Sequence, residues 1–388
     1  MLLSRISAPQ LSNPTQEDIF ASSISSLFTD DTQNSHGTPG HSVIYTSPTY
    51  GDIKLGIPQH PDVEEGRKLF AHYLWNAGVI AADAIEVASS SDGTYPATIG
   101  ESKVKWDRKY WNIRGRDLLE LGAGTSLPSL ISALSSARSV TITDHPSSPA
   151  LVTNTIAQNV LENLKINLLS PTIASTLSDT PSPLQVSAPS DQPNSSPRTS
   201  STIAIHGLTW GDSLFTSATH YGKPSFPQPA HHSFDKIIIA DCLWMPNQHA
   251  NIVKTVNTYL QQGLASTFEE SGSETVPCAL VVACFHTGRR VVAQFFQIAT
   301  GSKTGILTRG NNASNQFSAH PEEDEEDTED EDEDADVEAV RGTLRAAEIF
   351  EVDVDCNVRG WLPERPGESR EQAKRWCVCA VLVKEGRI

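Results

Sequence analysis

The sequence predicts an α/β fold in which helices cover both faces of a mostly parallel sheet. Three observations lead to it. Short β-rich runs alternate with segments of helical spacing along most of the chain. A glycine turn, Gly122–Gly124, joins one of these runs to the helix after it. Polar residues stand where several runs end, and ligands of open α/β sheets lie along the carboxyl ends of strands.

The elements follow in chain order. Residues 1–60 are rich in Ser, Thr, Pro and Gly without a sustained period, so we expect an irregular N-terminal arm. Residues 61–388 are expected to form one domain. Helical spacing covers 62–86, where Asp62 is placed to cap the start, and also 127–137, 153–169, 248–261 and 289–300. Strands are predicted at 116–121, 139–143, 202–208, 234–240, 279–285, 347–354 and 376–384. No long helical segment separates the last two strands, which predicts an antiparallel C-terminal pair.

Two segments are predicted to be disordered insertions, within 170–201 and 310–340. The first holds ten Ser and six Pro, a composition that cannot bury a core. In the second, 14 of the 17 residues from Glu322 to Glu338 are acidic, and their mutual repulsion favours an extended, solvated chain. Without these 14, the chain holds 33 acidic and 29 basic residues, so its body is nearly neutral. A nucleic-acid groove based on positive charge is therefore not expected.

The apolar runs and the cysteines indicate the compartment. The longest nearly apolar run, 276–285, has ten residues, about half of what a bilayer-spanning helix needs. We expect no membrane span and, without a secretory or transit pattern at the N-terminus, a cytoplasmic protein. The six cysteines lie in strand-like contexts without a CxxC pair or a His cluster, which predicts reduced core cysteines and no metal site.

The glycine turn is the first candidate binding site. A Cβ at Gly122 or Gly124 would crowd a ligand approaching the backbone, and the following helix offers unpaired N–H groups. Ser126 replaces the third glycine of a dinucleotide fingerprint, which weakens an NAD interpretation. Glu120 suits a cationic ligand such as S-adenosylmethionine better than a pyrophosphate. Asp144 ends the second strand, where a carboxylate accepts ribose hydroxyls in either cofactor. The alternative for the two glycines is an ordinary tight turn, and the alternative for Asp144 is a helix cap.

Further candidates follow the third and fourth strands. Trp210 is predicted to flank an adenine, and Ala240 or Asp241 to face a methyl donor. Asp241 would attract a protonated amine, and Trp244 would hold that amine against its π-face. The alternative is that Asp241 caps the next helix and Trp244 packs beneath it. His286 ends the fifth strand, and its position favours an ordinary loop histidine over a base.

Six segments carry a resemblance to a known family: HYLWNAGVIAAD (72–83), LLELGAGTSLPSL (118–130), TITDHP (141–146), GLTWGD (207–212), IIIADCLW (237–244) and CFHTGR (284–289). The chain resembles seven-strand Rossmann-like S-adenosylmethionine-dependent methyltransferases of the lysine methyltransferase 16 group. More narrowly, it is similar to fungal enzymes labelled nicotinamide N-methyltransferase-like, a subgroup associated with methylation of the N-terminus and a nearby lysine of elongation factor 1-alpha.

This resemblance implies a cofactor, S-adenosyl-L-methionine, and a set of residues that contact it: Trp75, Glu120 at the amino-acid end, Gly122, Ala123, Gly124, Asp144, Trp210 and Ala240. It also implies a protein substrate, translation elongation factor 1-alpha, methylated on its N-terminal amine, on a nearby lysine or on both, by a monomer. Two alternatives stay open: methylation of nicotinamide or a related pyridine, and cofactor binding without catalysis. The absence of a lid-like helix pair before the core favours a protein acceptor over a small molecule.

Overall fold

The computed structural model describes residues 2–9, 34–59, 73–90, 104–164, 184–186, 201–217, 228–262, 276–302 and 331–384. The strands are β1 (Ile6–Ser7), β2 (Ser35–His36), β3 (Ser42–Ser47), β4 (Gly51–Gly56), β5 (Leu74–Trp75), β6 (Asp117–Leu121), β7 (Ser139–Asp144), β8 (Leu184–Val186), β9 (Ser201–Gly207), β10 (Thr216–Ser217), β11 (Lys236–Ala240), β12 (Cys278–Cys284), β13 (Leu344–Asp353), β14 (Val358–Gly360) and β15 (Trp376–Lys384). The helices are α1 (Asn76–Ser89), α2 (Arg108–Trp111), α3 (Leu127–Leu134), α4 (Pro149–Val152), α5 (Thr155–Asn163), α6 (His249–Tyr259), α7 (Arg289–Thr300), α8 (Glu331–Val340) and α9 (Arg370–Lys374). Short 3-10 turns cover Leu3–Arg5 and Pro246–Gln248.

The main sheet has the strand order β10-β9-β7-β6-β11-β12-β15-β13-β14, and β8 also pairs with β9. From β9 to β12 neighbouring strands are parallel, whereas β15 is antiparallel to both β12 and β13. The predicted α/β class, a mostly parallel sheet with an antiparallel C-terminal strand pair, is confirmed. The chain leaves β6 toward β7 and β9 and then returns to β11, so the strand order reverses between β6 and β11. Such reversal points are where open α/β sheets bind ligands.

Alternating residues of the central strands supply the two cores. Leu118 and Ile238 belong to the core beneath α1 and α3, whereas Leu119 and Ile239 belong to the core beneath α6 and α7. Successive side chains of a strand point to opposite faces, so strands covered on both faces read as continuous apolar runs. The helices thus cover both faces, as predicted.

The N-terminal region contains regular structure, so the predicted irregular arm over 1–60 is wrong for the strands among residues 35–56. Strands β1, β3 and β4 form an antiparallel sheet. Its inward side chains, Tyr45 and Leu55 among them, are fully buried in the same core as α1. The period-two pattern of each strand extends over only six residues among Ser, Thr and Gly, which explains why composition predicted a loop.

Other elements differ from the predicted bounds. Helix α1 begins at Asn76 because Leu74 and Trp75 pair as a strand with β2; Asp62, the predicted cap, lies outside the described residues. Most of the insertion at 170–201 also lies outside them, and its residues 184–186 form β8, an edge strand beside β9.

Part of the acidic run is helical, so the expected extended form is wrong for residues 331–340. Val337 and Val340, three residues apart on α8, pack against the core beneath α6 and α7, and Val340 is buried. The Arg341 Nε atom lies 3.0 Å from Glu338 Oε2 and offsets one of the charges. Burial of this apolar edge stabilises a helix that charge counting alone disfavours. The remainder of the run lies outside the described residues.

The cysteine prediction is wrong for one pair. Cys284 of β12 and Cys377 of β15 lie directly opposite each other on antiparallel neighbours and form a disulfide. Cross-strand partners in an antiparallel ladder bring their side chains close together, a proximity that sequence spacing does not show. The other four cysteines are buried and free, as predicted.

Two features are absent from the described ranges. No helix there is both long and apolar enough to span a bilayer. No group of three or more His, Cys, Asp or Glu side chains in those ranges is placed to hold a metal ion.

Candidate functional site

A cavity of about 260 Å³ opens at the carboxyl ends of β6, β7 and β11, where the strand order reverses. The structure brings all ten predicted site residues to its wall: Trp75, Glu120, Gly122, Ala123, Gly124, Asp144, Trp210, Ala240, Asp241 and Trp244. They come from five separate segments of the chain. Strand ends that are remote in sequence therefore meet at one place, as the topology requires.

The glycine turn forms the floor of this cavity. Gly122 has a φ of 61° and Gly124 a φ of 51°, in the left-handed region that favours glycine. A Cβ built on Gly122 would lie 2.8 Å from Cys242 Sγ and 3.2 Å from Trp210 Cζ2. The turn then enters α3, whose first residues leave backbone N–H groups without intrahelical acceptors. Because the two glycines have no side chains of their own and line the cavity, a ligand can contact the main chain there.

Asn159 of α5 holds the turn in place. Its Nδ2 donates to the carbonyl oxygen of Thr125 at 3.1 Å, and its Oδ1 accepts from the backbone N–H of Gly56 at 2.7 Å. One buried amide therefore ties the glycine turn to the N-terminal sheet. Sequence reasoning missed this residue because its partners lie 34 and 103 positions away.

Asp144 sits at the tip of β7 and is almost fully buried. Its carboxylate accepts from the backbone N–H of Gly124 at 2.8 Å and from that of His145 at 2.7 Å. Burial raises the pKa of Asp144, and these two amides together with the Ser148 hydroxyl oppose the shift. A carboxylate has about four acceptor positions, so the described contacts leave capacity for a further hydroxyl.

Glu120 lies deeper, on the penultimate residue of β6. Its side chain is fully buried and accepts a hydrogen bond from the Ser129 hydroxyl of α3. Burial raises the pKa of Glu120 to about 8, with a smaller contribution from the nearby Asp144 carboxylate, and the Ser129 hydrogen bond opposes the shift. A positively charged group brought beside it would favour the ionised form. The position fits the cationic ligand that the sequence predicts.

Asp241 lines the same cavity just past β11, with a φ of 61°. Its Oδ1 accepts from the backbone N–H of Cys284 at 3.1 Å, and its Oδ2 lies 3.7 Å from His286 Nδ1. Burial raises the pKa of Asp241, and the proximity of His286 and the Cys284 amide lower it. The described contacts join this side chain to β12 and not to the start of α6, so the alternative of a helix cap is not what the structure shows.

Aromatic rings line the wall beside Asp241. Trp75 stacks on the His286 ring with centroids 4.8 Å apart, and Tyr73 meets Trp75 edge-on at 5.9 Å. Trp244 is half-buried on the same wall. Sequence reasoning missed Tyr73, and it interpreted His286 as an ordinary loop histidine and not as a site residue. The CFHTGR segment contained the signal for His286, but the contact with Trp75 joins elements 211 positions apart in the chain.

The lining of the cavity has acidic side chains but no Lys or Arg among the described residues. It includes the carboxyl groups of Glu120, Asp144 and Asp241, whereas no described lining residue is Lys or Arg. Together with the aromatic rings, this lining suits a positively charged or polarised ligand better than an anionic one.

Comparison with known proteins agrees with these features. The family model described as lysine methyltransferase matches residues 62–170. The chain is 28% identical over 194 residues to a protein N-terminal and lysine N-methyltransferase of Emericella nidulans, covering 50% of this chain and 54% of that protein. A protein of the same description from Schizosaccharomyces pombe is 25% identical over 187 residues, covering 48% and 49%. The chain thus spans about half the length of these relatives.

Solved structures offer a weaker likeness. A methyltransferase described as S-adenosylmethionine-dependent from Streptococcus mutans is 9% identical, with a TM-score of 0.37 over 90% of this chain and 57% of that one. The strand order, and not this likeness, establishes the fold class. The resemblance to the lysine methyltransferase group, inferred from the motifs, is confirmed by the sequence comparisons, whose family model covers residues 62–170.

Proposed function

We propose that the chain is an S-adenosylmethionine-dependent N-methyltransferase that acts on a protein amine. The observation that carries the proposal is that the ten predicted residues line one cavity. We assign the glycine turn, Asp144 and Trp210 to a cofactor end of this cavity, and Asp241 with the aromatic wall to an acceptor end. A methyl donor and an amine acceptor would meet between them, near Ala240.

The cofactor end fits the parts of S-adenosylmethionine. Asp144 retains acceptor capacity for a ribose hydroxyl, Trp210 provides a ring for adenine, and Glu120 supplies a buried carboxyl for the cationic amino-acid end. Gly122 and Gly124 line the cavity without side chains of their own, which lets the ligand approach the main chain at the end of β6. The bound cofactor supplies an electrophilic methyl group on a sulfonium, and the chain has to orient it and exclude water.

The acceptor end fits a cationic amine. A lysine or an N-terminal amine arrives largely protonated, and the Asp241 carboxyl together with the rings of Trp75 and Trp244 attracts that charge without a competing Lys or Arg in the described lining. A protein acceptor is also supported by the relatives, which are named protein N-terminal and lysine N-methyltransferases.

The resemblance further supports a specific acceptor. We propose the N-terminal region of translation elongation factor 1-alpha, modified on its N-terminal amine, on a nearby lysine or on both. We also propose that the protein acts as a cytoplasmic monomer. The acceptor, the compartment and the monomeric state go beyond what the names of the relatives say and rest on the motif resemblance and the sequence.

Radiolabel transfer tests the proposal. The purified chain is incubated with methyl-labelled S-adenosylmethionine and either a lysate from cells lacking the enzyme or nicotinamide, with Asp144→Asn as a cofactor-binding control and Asp52→Asn, an exposed β4 residue outside the cavity, as the matched neutral variant. We expect one protein band to acquire label in the wild type and in Asp52→Asn, and at least tenfold less in Asp144→Asn. Label on nicotinamide alone would favour the pyridine alternative. Cofactor binding without any label would favour a non-catalytic protein.

A further inference from the structure

We propose that His286 accepts the proton that the acceptor amine must lose before methylation, and that the Asp241 carboxylate holds the imidazole in place for this role. The inference rests on the proposed function and assigns a group to a step that this function requires. A protonated amine has no free electron pair, so it cannot attack a methyl group until a base removes one proton.

The two side chains face each other at the acceptor end. His286 Nδ1 lies 3.7 Å from Asp241 Oδ2, and neither atom has a hydrogen-bond partner among the described residues, although both are buried. The other carboxylate oxygen is fixed by the Cys284 amide at 3.1 Å. Hydrogen bonds of catalytic pairs are often long in unliganded proteins and shorten when substrate binds. A buried histidine nitrogen opposite a buried carboxylate is the arrangement that orients imidazole bases.

The other ring nitrogen, Nε2, is the one that would take the proton from the acceptor amine. The two nitrogens of an imidazole point in diverging directions, so Nε2 is turned away from Asp241 when Nδ1 faces it. The His286 side chain is 19% exposed and lines the cavity. Its ring plane is held by Trp75, stacked at an interplanar angle of 22°. The ring thus packs on the indole with one face and lies opposite the carboxylate with its Nδ1 edge.

The charges around His286 favour this role. Asp241 faces the ring from the end of β11. From β5 the ring meets the uncharged indole of Trp75. Arg370 of α9 donates to the His286 carbonyl oxygen at 3.5 Å and not to the ring, and Arg289 at the start of α7 is paired with acidic side chains of β13 and the segment before α9. The carboxylate is therefore placed to stabilise an imidazolium.

The step balances as follows. His286 Nε2 takes one proton from the ammonium group, which leaves the acceptor nitrogen with a free electron pair. That pair forms the bond to the methyl carbon as the carbon–sulfur bond breaks, and the electrons of the broken bond stay on sulfur. The product is a methylated ammonium with its two remaining protons, and the imidazolium releases its proton to water.

The kinetic test compares His286→Gln with His231→Gln, a variant of an exposed histidine outside the cavity, on a lysine or N-terminal peptide that the wild type methylates. We expect His286→Gln to lower kcat about 100-fold or more near neutral pH. We expect the loss to shrink as rising pH deprotonates the amine in solution, while calorimetric affinity for S-adenosylhomocysteine stays within about twofold. His231→Gln is expected to match the wild type. Equal rates for His286→Gln and wild type across the pH range would overturn the proposal.

Nitrogen-15 NMR of the resting protein gives a readout independent of turnover. We expect the His286 ring to carry its proton on Nδ1, facing Asp241, and to lose this preference in Asp241→Asn. A ring protonated on Nε2 in the neutral wild type would overturn the positioning role. If the wild type transfers no methyl group to any amine, the proposed function fails and this role fails with it. If the wild type does methylate an amine and His286→Gln does so at the same rate, only the role of His286 fails and the proposed function stands.

Discussion

Gly122 occupies a position that a residue with a Cβ atom cannot share with its neighbours. The left-handed φ of 61° and the Cys242 sulfur, 2.8 Å from where the Cβ would be, act together. Cys242 is itself fixed by donating to the Leu121 carbonyl oxygen at 3.2 Å, so the neighbour cannot move away freely. The residue thus couples the stability of the turn to the room left for a ligand.

Gly122→Ala is therefore expected to lower the free energy of unfolding by about 2 kcal/mol or more. It should also weaken S-adenosylmethionine binding by at least tenfold. Gly360→Ala is the matched control, because a Cβ at Gly360 meets nothing within 4 Å. Urea unfolding and calorimetry measure both quantities. Wild-type affinity in a folded Gly122→Ala protein would show that the turn does not contact the cofactor.

The buried Glu120 carboxyl makes the free energy of unfolding of the resting protein depend on pH. Burial raises its pKa from the ordinary value of 4.5 to about 8, so between these values the folded state holds a proton that the unfolded state has lost. The Glu120 contribution to stability therefore declines as pH rises through this window, with a limiting slope of about 1.4 kcal/mol per pH unit. Above the window the ionised carboxylate is buried at its full cost.

Urea unfolding at pH 5.5, 6.5 and 7.5 tests this sign on Glu120→Gln, which stays neutral. The wild type is expected to lose stability relative to the variant at each step, by about 1 kcal/mol per pH unit. Nearby Asp144 is present in both proteins, so its own titration largely cancels in the difference. Parallel curves would mean that Glu120 is already ionised in the folded protein.

At the scale of elements, helix α5 connects the N-terminal hairpin to the cavity. Asn159 bridges Gly56 and the glycine turn, and Asn163, one helical turn later, makes two bonds to the Lys54 backbone. Both asparagines tie α5 to β4, but in the described contacts only Asn159 reaches the turn. The pair therefore separates a purely structural contact from one that also shapes the cavity.

Asn159→Ala is expected to lower the free energy of unfolding by about 2 kcal/mol, since it loses a buried and a partly buried hydrogen bond. Asn163→Ala is expected to cost about 1 kcal/mol or less, because its two bonds to the Lys54 backbone are exposed. Only Asn159→Ala is expected to weaken cofactor affinity, by severalfold, because its loss frees the Thr125 carbonyl oxygen and the glycine turn. Asn163→Ala is the control that breaks the contact between α5 and β4 without touching the turn. Equal affinities in the two variants would contradict a role for the hairpin in shaping the site.

The sequence predicts the regular elements of the fold but not the contacts between segments that are distant in the chain. Helix Arg289–Thr300 and strand Trp376–Lys384 have the predicted bounds because a long, regular period specifies them. Nine of the ten site residues lie at or just after strand ends of the main sheet, and the ends of parallel strands converge whatever the loops do. Trp75, on the separate strand β5, was predicted from the motif resemblance alone. Local sequence patterns could not predict the stacking of His286 on Trp75 or the disulfide between Cys284 and Cys377, because both join segments that are distant in the chain.

At the scale of the whole molecule, the acidic run is the main asymmetry of charge. It holds 14 of the 47 acidic residues, and its last part, α8, packs against α6 and α7. A dense negative segment fixed to the fold can speed the encounter with a basic protein at low salt. An inert solubilising segment would leave the encounter rate unchanged.

Substitution of the carboxylates from 322 to 336 by Gln and Asn separates these roles while keeping α8 and its Val337 and Val340 contacts. If the run steers substrate, kcat/KM for a basic protein falls in the substituted protein at low salt. The difference disappears near 1 M salt, where the Debye length is about 3 Å. Cofactor affinity and Tm serve as controls and are expected to change little. Identical low-salt rates would identify the run as inert.

Transfer of a methyl group to a protein amine at this cavity is the central claim, and mass spectrometry of the acceptor's N-terminal peptide tests it most directly. Elongation factor 1-alpha from cells lacking this protein is incubated with S-adenosylmethionine and the purified chain, with nicotinamide in a parallel reaction, and its N-terminal peptide is then sequenced by fragmentation. We predict added methyl groups on the N-terminal amine, on a nearby lysine or on both, with the Gly122→Ala protein adding at least tenfold less. An unmodified peptide, with methylated nicotinamide in the parallel reaction, would contradict the account.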